Sequence, residues 1–151
     1  MSTIATSIEV NVPVRTAYNQ WTQFEEFPQF MEGVKEVQQL DDRHLHWKAE
    51  IGGRIKEWET EITEQMPDKR IAWKSTSGPM NEGIVTFMPV SDVKSTVHLN
   101  VAYETEGMVE AVGDEELGLM VSSRVKSDLE RFKTFIESRG GETGAWRGSV
   151  R

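Results

Sequence analysis

The residues best able to exchange a proton near neutral pH are His44, His46 and His98. His44 and His46 stand two apart, a spacing that sets both on one face of a strand, but no neighbouring pattern supplies the further ligands and supporting shell a metal site needs. No bound metal is expected. Arg54 and Lys56 share the parity of Trp58, and Arg124 sits beside Val121 and Val125 at helical spacing. Such cations either hold an anionic oxygen at the mouth of a cavity or reach past its rim to water. Tyr103 ends an inward parity, where its phenol polarises a carbonyl or hydrogen-bonds to structure. Proton abstraction beside a carbonyl needs a positioned base and a donor for the enolate, yet strand parity offers no inward histidine or carboxylate. Glu57, Glu59 and Glu61 alternate as a solvated strand face does. Phosphate-cradling glycine loops, His-Glu-x-x-His and Gly-x-Ser-x-Gly are all missing from the sequence.

The elements that must position these groups fit one domain, since 151 residues match a single globular unit. Hydrophobic residues make up only 37%, but five Trp, six Phe and seven Met concentrate apolar surface in a few large side chains. Acidic residues outnumber basic ones 25 to 17, and the net charge of −8 repels a phosphate backbone, so nucleic acid is not expected as a partner. With no cysteine, disulfides, thiolate metal sites and cysteine nucleophiles are excluded. Residues 1–6 lack a basic flank and an apolar core, and no stretch approaches the roughly 18 apolar residues of a membrane span. A cytoplasmic protein without an integral membrane segment or cofactor is expected. A homodimer is compatible with the sequence.

Ile4, Thr6, Ile8, Val10 and Val12 share one parity, the mark of a half-buried strand that Pro13 ends. Pro13 opens a short helix to about Trp21; Thr22 and Glu25 are spaced as a capping box for a second turn, and Pro28 starts a third. From Gly33 to Tyr103, punctuation at Asp41-Asp42, Gly52-Gly53, Pro67-Asp68, Gly78-Pro79 and Pro89–Asp92 divides about six antiparallel strands. Pro67-Asp68 fits a type I turn. Leu45, Trp47 and Ala49, then Trp58, Thr60 and Ile62, then Ile71 and Trp73, Val85 and Phe87, and Val97 to Tyr103 give the sheet one apolar face. Its cover is a helix from Asp114 to about Ser138, with a stripe of Val121, Val125, Leu129, Phe132 and Ile136. The stripe is bulky toward its C-terminal end and small toward Gly118 and Ser122, which predicts an opening beneath the N-terminal half. Residues 140–151 read as a flexible tail.

This order, with Ser7–Pro13, Trp21-Thr22-Gln23-Phe24-Glu25-Glu26-Phe27-Pro28-Gln29-Phe30-Met31, Val34–Val37, Trp58–Glu64, Arg70–Trp73 and Leu129–Lys133, resembles the polyketide cyclase/dehydrase branch of the START-like (SRPBCC) superfamily over roughly residues 3–138. The resemblance implies an α+β helix-grip (START/Bet v 1-like) fold. In it a curved antiparallel sheet of about seven strands grips the long C-terminal helix, two or three short helices follow the first strand, and residues 1–139 form one ligand-binding domain. The expected function is binding of a small hydrophobic or amphipathic ligand, a polyketide, quinone or lipid, with a polyketide aromatase/cyclase or dehydrase as the alternative. The expected walls are Phe24, Phe27, Phe30, Met31, Trp47, Trp58, Trp73, Phe87, Tyr103, Leu117, Met120 and Val121, with Arg54 and Arg124 at the mouth. Their cavity should exceed about 300 Å³, the lower range of small-molecule sites. An interaction surface built on the aromatics from Phe24 to Met31 is a further alternative.

Overall fold

A computed structural model describes residues 2–31, 34–51, 54–77, 81–103, 114–139, 142–145 and 148; at positions 2, 51, 54, 103 and 114–122 it describes backbone only. Strand β1 (Ser2–Val10) leads into helix α1 (Val14–Trp21) and a 3-10 helix (Phe24–Gln29). Strands β2 (Val34–Gln39), β3 (His44–Ile51), β4 (Arg54–Met66), β5 (Arg70–Ser77), β6 (Asn81–Ser91) and β7 (Lys94–Tyr103) follow, and helix α2 (Asp114–Arg139) completes the fold. The seven strands form one antiparallel sheet in the order β1-β7-β6-β5-β4-β3-β2. Consecutive strands β1 and β2 are therefore its two edges. The short helices between them span the concave side, where α1 packs on β6 and β7 and the 3-10 helix on β2. Register shifts at Val34/Glu36, Glu59/Thr60, Ile62/Glu64 and Pro89/Ser91 mark irregularities of the kind that bend strands and curl a sheet.

Parity decides which face curls inward. Leu45, Ala49, Ile62, Ile71, Val85, Phe87, Val97 and Leu99 are buried, and Leu129, Phe132 and Ile136 of α2 press down on them. At its C-terminal end α2 is fastened to β1, because Lys133 Nζ donates to the Glu9 carbonyl and the Asn11 amide donates to Glu137 Oε2 at 2.8 Å. Lys133 first, and the Asn11 amide after it, hold the Glu137 carboxyl below its ordinary range.

Local details depart from the sequence expectation in three places. Thr22 opens no second turn: it lies in the helical region at the end of α1 and its Oγ1 donates to the Asn19 carbonyl at 2.5 Å. An N-cap needs extended backbone, so that conformation excludes the capping box. Pro28 sits inside the 3-10 helix instead of starting a turn. The Pro67-Asp68 turn closes through Lys69 N to the Met66 carbonyl, with Asp68 at a φ of 62°, and positive φ at that position belongs to a type II turn, not type I.

Part of the segment expected to be a flexible tail is docked. Gln20, fully buried on α1, accepts from the Thr143 amide at 2.8 Å and donates to Thr143 Oγ1 at 3.1 Å. A buried amide group needs both partners, and Thr143 supplies them.

Candidate functional site

Beneath the middle of α2 the sheet and the short helices enclose a cavity of about 150 Å³. Its floor is Leu45 and Trp47 of β3, Ile62 of β4, Ile71 and Trp73 of β5 and Leu99 of β7. Trp21, Phe24, Phe27 and Met31 close one side, and Val125, Asp128 and Leu129 form the roof. Bounded by the described residues, this volume is smaller than the expected 300 Å³, and the side chains that would border the opening expected beneath the N-terminal half of α2 lie outside the described residues. Periodicity tells which side chains face inward but not how much space their rings consume. A second, more open hollow of about 350 Å³ is bordered by Thr3, Ala72, Trp73, Gly83, Asn100 and Ala102 among others.

Of the anticipated wall residues, Phe24, Phe27, Met31, Trp47 and Trp73 border the cavity. Trp58 faces Trp47 directly across β3 and β4, and the indoles stack with centroids 5.9 Å apart and planes 3° from parallel. It backs the wall. Phe30 and Phe87 are buried elsewhere: Phe30 packs on Phe132 at 5.2 Å, and Phe87 packs edge-on against Tyr18 at 5.4 Å. The side chains of Arg54, Tyr103, Leu117, Met120 and Val121 lie outside the described residues, as do Gly52-Gly53 and Trp146. Burial of Phe24, Phe27 and Phe30 turns these rings into core, so they are not the exposed docking surface considered as an alternative.

Arg124 differs most from its expected role. Its Nη1 donates to the Glu50 carbonyl at 2.7 Å, tying α2 to the end of β3. The guanidinium thus meets a main-chain oxygen, and Arg124 is not among the cavity's described walls.

Two tryptophans are held low over the sheet. Trp47 Nε1 donates to Thr60 Oγ1 at 2.9 Å, which satisfies the indole N–H within the wall. Trp73 lies across Gly83 so closely that a Cβ there would stand 2.6 Å from Cζ2 and 2.8 Å from the Asn100 carbonyl oxygen. Only glycine leaves room for that ring.

Asp128 is the one ionisable side chain among the described lining residues. It is 14% exposed and pairs with Arg131 at 3.1 Å, so Arg131 offsets its charge at the edge of an otherwise apolar chamber. Strand parity misses this carboxylate, because it stands on the helix. The helical spacing of positions 125, 128, 129 and 132 puts it on the inward stripe.

The histidines lie on the opposite face of the sheet. His44 is 2.9 Å from Asp41 Oδ1 and 3.8 Å from Glu61 Oε2; His46 is 3.1 Å from Glu57 Oε1 and 3.5 Å from Glu59 Oε2. The hydrogen bond to Glu57, followed by that to Glu59, raises the His46 pKa above 6.5. Backbone N–H donation from Arg43, then the His44 ring, lowers that of Asp41. Among the described residues, no three His, Asp or Glu side chains gather so as to hold a metal ion, and no helix is long and apolar enough to cross a membrane.

Comparison with known proteins agrees with this architecture. The uncharacterized 17.2 kDa protein in the melC2-rnhH intergenic region of Streptomyces lincolnensis is 51% identical over 151 residues, covering 99% of both chains. Among solved structures, DR_A0006 from Deinococcus radiodurans matches with a TM-score of 0.72 at 26% identity, over 92% of this chain and 99% of its own. The fold is shared with a START superfamily protein from Mycobacterium smegmatis, with a TM-score of 0.80 at 14% identity over 91% of this chain and 98% of the other. It is shared too with the Zhui aromatase/cyclase from a Streptomyces species, with a TM-score of 0.78 at 15% identity over 96% and 99%. The family model for polyketide cyclase/dehydrase and lipid transport matches residues 10–133, so the chain belongs to that family.

Proposed function

We propose that this chain binds a small hydrophobic or amphipathic molecule in the cavity between the sheet and α2. The observation that carries this reading is the lining itself, in which, among the described residues, twelve apolar side chains stand with one carboxylate. Such a wall rewards burial by roughly 25 cal/mol per Å² and asks little polar recognition. Membership of a family described by cyclase/dehydrase activity and lipid transport supports the same reading. Native mass spectrometry of protein purified from its own host should show a retained small molecule. Trp58→Ala, which removes the backing of the Trp47 wall, should weaken its binding more than Arg124→Ala, which loosens a tether outside the cavity. The reverse order would end this reading.

A second reading, an aromatase/cyclase or dehydrase, is favoured by Asp128, because a carboxylate in the lining is the proton acceptor such a reaction needs. Incubation with a poly-β-keto substrate tests it. Cyclisation that Asp128→Asn abolishes would establish the enzyme, and an unchanged substrate would leave binding alone.

A further inference from the structure

Three properties of the chamber restrict its occupant. Its volume, about 150 Å³, is that of a cavity able to hold one benzene ring, and half or less of the roughly 300–1,000 Å³ of sites for drug-sized ligands. Its walls are ring surfaces: the Trp47 indole, backed by Trp58, the Trp73 indole over Gly83, and the Phe27 ring 5.7 Å from Trp47. Aromatic contacts add to simple burial when rings meet offset or edge-on. Among the described lining residues the one charged group, Asp128, is a carboxylate already paired with Arg131.

The charge pattern then selects among head groups. A carboxylate accepts hydrogen bonds and donates none, so an anionic ligand brings like charge against Asp128. A cation gains less there, since Arg131 already offsets the carboxylate and an apolar chamber gives its charge poor solvation. A neutral hydroxyl fits both constraints, because O–H donation to a carboxylate is a strong, charge-assisted bond with no second charge to desolvate.

We infer that the occupant is an uncharged single-ring molecule of the phenol class, its hydroxyl donating to Asp128 and its ring lying among Trp47, Trp73 and Phe27. This rests on the ligand-binding reading and narrows it, excluding long acyl chains and multi-ring frameworks.

Calorimetric titration of the full chain with phenol, toluene, benzoate, dodecanoate and anthracene tests size and charge without any variant. Phenol should bind with one-to-one stoichiometry, about tenfold more tightly than toluene, the yield of one good hydrogen bond to a charged acceptor. Benzoate, dodecanoate and anthracene should each bind at least about tenfold more weakly than phenol by the same measure. In Asp128→Asn the advantage of phenol over toluene should shrink, and taking the ratio of the two affinities controls for any general loosening of the fold. Dodecanoate or anthracene binding more tightly than phenol would overturn this inference and leave the ligand-binding reading standing. An undiminished phenol advantage in the variant would overturn it as well. If no probe binds, both readings fall together.

Discussion

Around Phe132 and Ile136 the space between α2 and the sheet is filled, whereas around Val125 and Asp128, one to two turns earlier, the same helix roofs a hollow. Aromatic residues are plentiful beneath both stretches, so their number does not explain the difference. Orientation does. Near Phe132 the rings stand away from their own elements and meet edge-on, with Trp21 at 5.0 Å and 68° and Phe30 at 5.2 Å and 66°. Beneath Val125 the indoles lie low, Trp47 bonded to Thr60 and stacked on Trp58, and Trp73 laid across Gly83. A shorter side chain on the helix above them leaves the gap. Cavities in such a fold are thus set by ring tilt and by the length of the facing residue.

The sharpest way to break this contrast is to hollow the filled region. Phe132→Ala should cost about 3–5 kcal/mol in chemical denaturation, because two rings, Trp21 and Phe30, lose their common partner. A loss below about 0.5 kcal/mol, the size of a surface change, would show that this region is not packed as described. Leu129 borders both regions, and Leu129→Ala should cost about 2–3 kcal/mol, low for its type because the new void joins an existing one. The same variant should accept a larger apolar probe than the wild type, and titration with naphthalene reads that out.

Gly83→Ala attacks the floor. Its Cβ meets a ring and a main-chain oxygen that cannot retreat, so a cost of about 1–3 kcal/mol and a shifted tryptophan emission are expected. Unchanged emission would mean that Trp73 does not depend on this glycine.

The smallest effect belongs to the outer face. Because Glu57 and Glu59 raise the His46 pKa, this histidine stabilises the folded state fully below its ordinary 6.5, and the contribution is lost as pH rises through the elevated folded value. His46→Gln should therefore flatten that fall in melting temperature, and an equally steep fall in the variant would assign the pH dependence to other groups.

Much of this architecture is legible in the residues themselves. Period-two alternation in β1, β3, β5 and β7 marks the inner face, and the spacing of Leu129, Phe132 and Ile136 marks the buried side of α2. Both signals are strong because a one-residue slip would turn every apolar group outward. The candidate site is less legible for three physical reasons. Chain pattern reports direction and not ring tilt, so Phe30 and Phe87 are indistinguishable from wall residues. Charge at Asp128 suggests a solvated position, although its place between Val125 and Phe132 points inward. Arg124 finds its partner in a carbonyl of distant β3, a contact that no local pattern announces.

The placement of β1 and β2 at opposite edges has a consequence for the order of assembly. Strands β2 to β7 pair with their sequence neighbours and can zip locally, but β1 pairs only with β7, Val10 meeting Ser95 and Ser2 meeting Tyr103. Such a contact closes a very long loop and bears its entropy before it gains any pairing. During synthesis the first strand therefore has no sheet partner until nearly seven tenths of the chain has emerged, and α2, which fastens to its end, is made later still. The chamber's roof is made after its floor, so a nascent chain presents the bare indoles of β3, β4 and β5 to whatever surrounds it, and that interval is when aggregation should be sought.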